Sequence, residues 1–146
     1  MSAQPKTQIS IDELVARASE LKSQVEAVGS MLNTYLNQYR ELQLAYETLK
    51  NLPDIISQGY IVLDRLSTVL VPTRIDEGWT SKVLLNLGLG YYIKTTRDKA
   101  LEVLEKKIKE AEKVISNIQA HHQRLLREYI AIQRLLSQAI ESQQTQ

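Results

Sequence analysis

Cysteine is missing from all 146 residues, and with it go disulfides, zinc–thiolate sites and thiol nucleophiles. Phenylalanine is missing too, tryptophan occurs once, and aromatic side chains make up 5% of the chain, too few for a large interdigitated core. Neither sign of charge is in excess. Eighteen Lys and Arg face seventeen Asp and Glu, a net charge of +1, which argues against a dedicated nucleic-acid binder, whose affinity rests on a concentrated positive field. No run of about 18 apolar residues occurs anywhere, and the stretch Met1–Gln8 lacks the apolar core of a signal peptide. The expectation is a soluble, cytoplasmic protein with no membrane and no nucleic acid among its partners. Disorder is a poor alternative, because 43% of the residues are hydrophobic and their spacing is regular.

From Ile11 onward, apolar residues recur at alternating steps of three and four: Ile11, Leu14, Ala18, Leu21, Val25, Val28, Leu32, Tyr35, Tyr39, Leu42, Tyr46 and Leu49. A mean step of 3.5 keeps one stripe facing a partner only if the helices supercoil, so this is a coiled-coil heptad. Ser10 and Glu13 have the spacing of a capping box at its start, and Pro53 ends it. A second seam runs through Leu101, Leu104, Ile108, Ala111, Ile115, Ile118, His122, Leu125, Tyr129, Ile132, Leu136 and Ala139, with Thr95 and Asp98 offering a cap upstream and a polar tail, Ser142 to Gln146, expected to fray. The seams are equal in length, about 58 Å at a rise of about 1.5 Å per residue. They predict an antiparallel hairpin in which facing positions sum to 150, pairing Leu49 with Leu101, Ile11 with Ala139 and His122 with Val28. Three more acids than bases on the first segment and two more bases than acids on the second agree with that orientation.

Between the seams the period changes. Tyr60–Leu63, Thr68–Val71, Lys82–Leu87 and Tyr91–Lys94 are rich in β-branched, aromatic and other apolar residues, and they are separated by Asp64–Ser67, Asp76–Ser81 and Gly88-Leu89-Gly90. They read as two β-hairpins, with Pro72 at an edge or a bulge and the glycine pair supplying positive φ for a tight turn. Both faces of these strands carry apolar side chains: Val69 and Val71 against Leu70, and Val83, Leu85 and Leu87 against Leu84. So small a sheet cannot cover both by itself, and neighbouring subunits are expected to complete it. The fold class is thus mainly α with a small β part: a long antiparallel coiled-coil hairpin with two central β-hairpins at its base, completed by oligomerisation into a β-barrel platform. One domain, 1–146, is laid out as a helix over 9–52, hairpins over 53–95 and a helix over 96–141.

The order helix, two hairpins, helix, together with Val71-Pro72 and the segment Val83-Leu84-Leu85-Asn86-Leu87-Gly88-Leu89-Gly90-Tyr91-Tyr92-Ile93-Lys94, resembles the alpha-type subunit of prefoldin. The chain differs from the usual pattern at Ile61-Val62-Leu63-Asp64, in the longer turn Asp76–Ser81 with Trp79, and at Lys94. The resemblance implies an ATP-independent chaperone and a hexamer of two alpha and four beta subunits. Hairpins form its platform, and coiled-coil tips hold unfolded clients and pass them to a group II chaperonin. The hairpin residues that would carry assembly are Val69, Val71, Val83, Leu85, Leu87, Gly88, Gly90, Tyr91, Tyr92 and Ile93.

Positions flanking a coiled-coil seam are normally polar, yet Val15, Met31, Leu36, Leu126, Leu135 and Ile140 occupy them here, and Ile130 lies one position further out. Val15, Met31, Leu126, Ile130, Leu135 and Ile140 are the expected client-binding residues, since exposed apolar area is recovered when a client segment covers it. The competing reading is a structural scaffold or adaptor in which these residues bind one fixed partner helix. His121 and His122 are adjacent, so on a helix they point about 100° apart and cannot ligate one metal together. Gly88-Leu89-Gly90 has no Lys or Ser/Thr after it and opens no helix, so it is a turn and not a phosphate loop. Neither cofactor nor metal is expected, and no catalytic constellation points to an enzyme.

Overall fold

The computed structural model describes residues 9–55 and 58–145; the readings of Met1–Gln8 and of Gln146 lie outside them. The elements follow in the order α1 (Ile11–Asn51), β1 (Gly59–Val62), β2 (Leu70–Thr73), a short 3-10 helix (Trp79–Ser81), β3 (Val83–Gly88), β4 (Tyr91–Thr95) and α2 (Arg97–Gln144). Two compact units result. One joins the chain up to Gln38 with the chain from Ala111 on, and the other is Tyr39–Glu110.

In the first unit, the heptad decides what is covered. Every seam residue of α1 and α2, in both units, is buried or half-buried, and nearly everything between them is exposed. Leu14, Leu21, Ile115 and Leu125 are the buried centres, Leu21 completely so. Two contacts tie the helices together as antiparallel neighbours: Arg17 Nη2 lies 3.5 Å from Glu128 Oε2, and the His122 imidazole fills the space beside Gly29, where a Cβ would lie 3.4 Å from Nε2. His122 is half-buried in the seam beside Gly29, the residue after its expected partner Val28. The capping box also forms: Ser10 N donates to Glu13 Oε2 at 2.9 Å, and Glu13 N donates to Ser10 Oγ at 3.2 Å.

In the second unit, β1 pairs with β2 and β3 with β4, both antiparallel, as two separate two-stranded sheets. The first hairpin differs from expectation at β2, which begins at Leu70 instead of Thr68. Asp64 is the reason, because its carboxylate accepts the backbone N–H of Leu66, Thr68 and Val69 and keeps these residues in the loop. The strand then runs through Pro72, which faces Tyr60. The bond from Leu63 N to Val69 O makes Ile61–Val71 a hydrogen-bonded pair and Tyr60–Pro72 a non-bonded one, so no donor is needed where proline has none. The irregularity lies in the second hairpin instead. Asn86 faces Tyr92 while Gly88 faces Tyr91, leaving Leu87 as the extra residue of a bulge.

The segment Asp76–Ser81 is more than a turn. It forms a short 3-10 helix that buries Trp79 to 9% exposure and hydrogen-bonds the indole Nε1 to Pro53 O at 3.1 Å. Arg97 completes this junction, donating to Leu52 O at 3.3 Å, pairing with Asp54 at 2.6 Å and lying over the Trp79 ring at 5.7 Å. The carbonyls left open where α1 stops are thereby partly satisfied by the first residue of α2. The α2 cap is Thr96, one residue later than Thr95: its Oγ1 accepts Lys99 N at 3.2 Å, while Thr95 closes β4. The C-terminal helix reaches Gln144, through residues expected to fray, with Ser142 Oγ donating back to Gln138 O.

Candidate functional site: exposed apolar flanks and hairpin surfaces

Two groups of exposed apolar side chains stand out, one in each unit. In the helical unit, Val15, Met31, Leu126, Ile130, Leu135 and Ile140 are between 39% and 52% exposed although each neighbours a covered seam position. They do not share one face. In an antiparallel pair, the residues following the seam on both helices line one flank, and those preceding it line the other. Val15, Leu126 and Ile140 belong to the first flank. Met31 and Leu135 belong to the second, which the Arg17–Glu128 ion pair crosses, and Ile130 faces further outward. Leu36 is half-buried against the seam. Ile9 and Val114 in this unit, and Leu44 in the other, are exposed as well and were missed. Val114 precedes the seam residue Ile115, so the rule that selected Met31 also selects it.

In the hairpin unit, Val69, Val71, Leu87, Tyr91, Tyr92 and Ile93 are exposed, as are Tyr60, Ile61, Val62, Leu63, Leu70 and Leu84. Val83 and Leu85 are half-buried, on the same side as Thr95. The bulge explains why Leu87 does not follow them: the extra residue breaks the alternation and leaves its side chain exposed.

The hairpin tips are tightly built. Asp64 accepts backbone donors at 2.9 Å from Leu66, 3.0 Å from Thr68 and 3.0 Å from Val69, while its own carbonyl accepts Ser67 N at 3.1 Å. These bonds, Thr68 first, hold its carboxyl below the ordinary carboxylate range. Ser67 sits at φ +57°. In the second tip, Gly88, Leu89 and Gly90 have φ of +94°, +54° and +81°, and Asn86 Oδ1 accepts Gly88 N at 2.7 Å. Positive φ is costly for any residue with a Cβ, roughly 1–2 kcal/mol, which makes Gly88 and Gly90 well suited and Leu89 the exception. A shallow concavity of about 400 Å³ at the open end of the first hairpin is lined by Tyr60, Pro72 and Arg74 together with Gln58, Gly59 and Thr73. Among the described residues, no three His, Asp or Glu side chains are gathered as a metal site, and no helix is long and apolar enough to cross a membrane.

This arrangement of two hairpins between seam-bearing helices is matched by a family profile described as Prefoldin subunit, over residues 10–142. The chain belongs to the prefoldin family. Its relatives include proteins named Prefoldin subunit alpha from Metallosphaera sedula, 26% identical with 92% of each chain covered, and from Sulfurisphaera tokodaii, 29% identical with 98% of this chain and 93% of the relative covered. A third, from Nitrosopumilus maritimus, is 30% identical over 77% of this chain and 75% of the relative. Prefoldin subunits are chaperone components and not enzymes, and the chain has that role.

Proposed function

We propose that the chain is an alpha-type subunit of a cytoplasmic, ATP-independent chaperone that captures unfolded or nascent polypeptides and hands them to a group II chaperonin. Its parts divide the work: the hairpins over 53–95 assemble with beta-type subunits, two alpha with four beta, and the helices over 9–52 and 96–141 carry the client surface. The observation that carries this reading is the set of six apolar side chains, Val15, Met31, Leu126, Ile130, Leu135 and Ile140, left 39–52% exposed beside a seam whose own residues are all buried or half-buried. An apolar client segment laid on either flank recovers that area as hydrophobic free energy. Each flank offers little area and holds a client weakly. Several subunits in one assembly raise the effective concentration, so weak sites act together and still release the client to a tighter acceptor without nucleotide.

The test replaces Val15, Leu126, Leu135 and Ile140 together by Ser. Suppression of client aggregation is expected to fall several-fold while native mass measurement shows the assembly intact. Undiminished suppression by the correctly assembled variant overturns the assignment. A scaffold that binds one fixed partner helix gives the opposite profile, with one folded protein retained and unfolded clients ignored.

A further inference from the structure

Ile130 lies on neither flank. It is exposed on the side of α2 turned away from the covered seam, between Arg127, three residues before it, and Arg134, four residues after it. On a helix these three side chains fall within about 60° of arc, and the two arginines stand about 10.5 Å apart along the axis. Arg124, three residues before Arg127, extends the row. Among the described residues, no ion pair engages Arg124, Arg127 or Arg134, and Glu128, the one acid in their midst, is turned to Arg17 at 3.5 Å.

The basic residues of α2 change type along its length. All five of its lysines precede Ile115, and the three bases beyond it are Arg124, Arg127 and Arg134. A lysine is a hydrated point charge that any solvated face accommodates. The planar guanidinium instead grips a carboxylate through two parallel hydrogen bonds, and arginine is enriched where proteins meet while lysine is depleted. An isoleucine between two such groups adds an apolar contact that a phosphate backbone has no means to use.

We propose that Arg127, Ile130 and Arg134 form a docking ridge for an acidic amphipathic helix of a partner protein, one that carries two carboxylates seven residues apart with a large apolar side chain between them. A helix laid along α2 has the same rise per residue, so its carboxylates reach both guanidinium groups while its apolar residue covers Ile130. A second copy of the chain does not supply this pattern. On its own helices, carboxylates seven residues apart enclose, as apolar residues at the third or fourth place, only Ala16 or the covered seam residues Leu101 and Ile108. The ridge is separate from the two flanks, and it stands or falls independently of client capture by them.

The experiment measures, by fluorescence anisotropy, binding of the full chain to a labelled helical peptide with Glu at i and i+7, Leu at i+4 and Ala or Gln elsewhere. A peptide of the same composition with its Leu moved to the opposite face, and a single-stranded DNA, are the comparators. The matched peptide is expected to bind about tenfold more tightly than either, and to weaken as salt is added. Arg127→Gln with Arg134→Gln, and separately Ile130→Ser, are each expected to lower its affinity about tenfold. Lys106→Gln with Lys113→Gln removes the same charge from lysines further along the same helix face and is expected to leave binding level, with helix content by circular dichroism unchanged throughout. No binding of the matched peptide, equal binding of both peptides, or equal loss in the lysine variant shows an ordinary solvated basic face and overturns the ridge. Tighter binding of the DNA shows a nucleic acid as the occupant, and self-association that depends on Arg127 and Arg134 shows a second copy. Loss of peptide binding in Val15→Ser with Leu126→Ser shows a peptide held on a flank as a client; each of these three results also overturns the proposal.

Discussion

Asp64 shows how one side chain sets the length of a strand. Its carboxylate holds three backbone amides, so ionisation of that group stabilises the first hairpin's loop. Because the folded-state pKa lies below the ordinary value of 3.8, the contribution is fully present above that value and disappears as pH falls through the lower, folded one. Amide exchange at Leu66, Thr68 and Val69, followed from about pH 6 to about pH 2, is therefore expected to stay protected until the acid end and then to rise at these residues together. Asp64→Ala should lose that protection at every pH. The junction around Trp79 grades in the same way. Trp79→Phe removes one hydrogen bond, about 1 kcal/mol, whereas Trp79→Ala also opens a cavity and is expected to cost about 3–5 kcal/mol in chemical denaturation. Arg97→Ala falls between them, because its ion-pair partner Asp54 is largely exposed and the pair itself contributes little.

At the scale of elements, the heptad was fully legible. Covered and exposed residues alternate along both helices as the three-four spacing dictates, and Ser10 with Glu13 caps α1 as its sequence spacing indicates. Leu21, with no exposed surface, is the position where truncation hurts most: Leu21→Ala is expected to destabilise by about 2–5 kcal/mol, against less than about 0.5 kcal/mol for the exposed seam neighbour Lys22→Ala. Strand boundaries were less legible because side-chain-to-backbone bonds compete with the ladder. Asp64 delays β2 by two residues, and Asn86 with Gly88 places a bulge where alternation alone predicted that Leu87 would follow Val83 and Leu85. Trp79 was legible as unusual but not as buried, since its partners Pro53 and Arg97 lie far away in the sequence.

For the whole molecule, the apolar content exceeds what its own chain covers. Both sheets have two strands, so every strand is an edge, and apolar side chains remain exposed on the hairpins and on the flanks of the helices. Sedimentation of the chain without partner subunits is expected to show concentration-dependent self-association, suppressed when a beta-type subunit is added in excess; a lone chain that stays monomeric at high concentration would count against the assembly role. The family was legible from the order of elements and the Gly-Leu-Gly-Tyr-Tyr stretch. The division of the exposed apolar residues between two flanks follows from the antiparallel pairing that the seams predict and that the Arg17–Glu128 contact makes visible.

Trp79, the chain's one indole, is fixed at the junction of α1, the 3-10 helix and α2. Red-edge excitation, which leaves the seven tyrosines silent, thus gives an emission signal that speaks for that junction alone. A native chain carries its own optical probe there, and a shift of its emission maximum on adding other subunits or a client would time events at the hairpin base without any label.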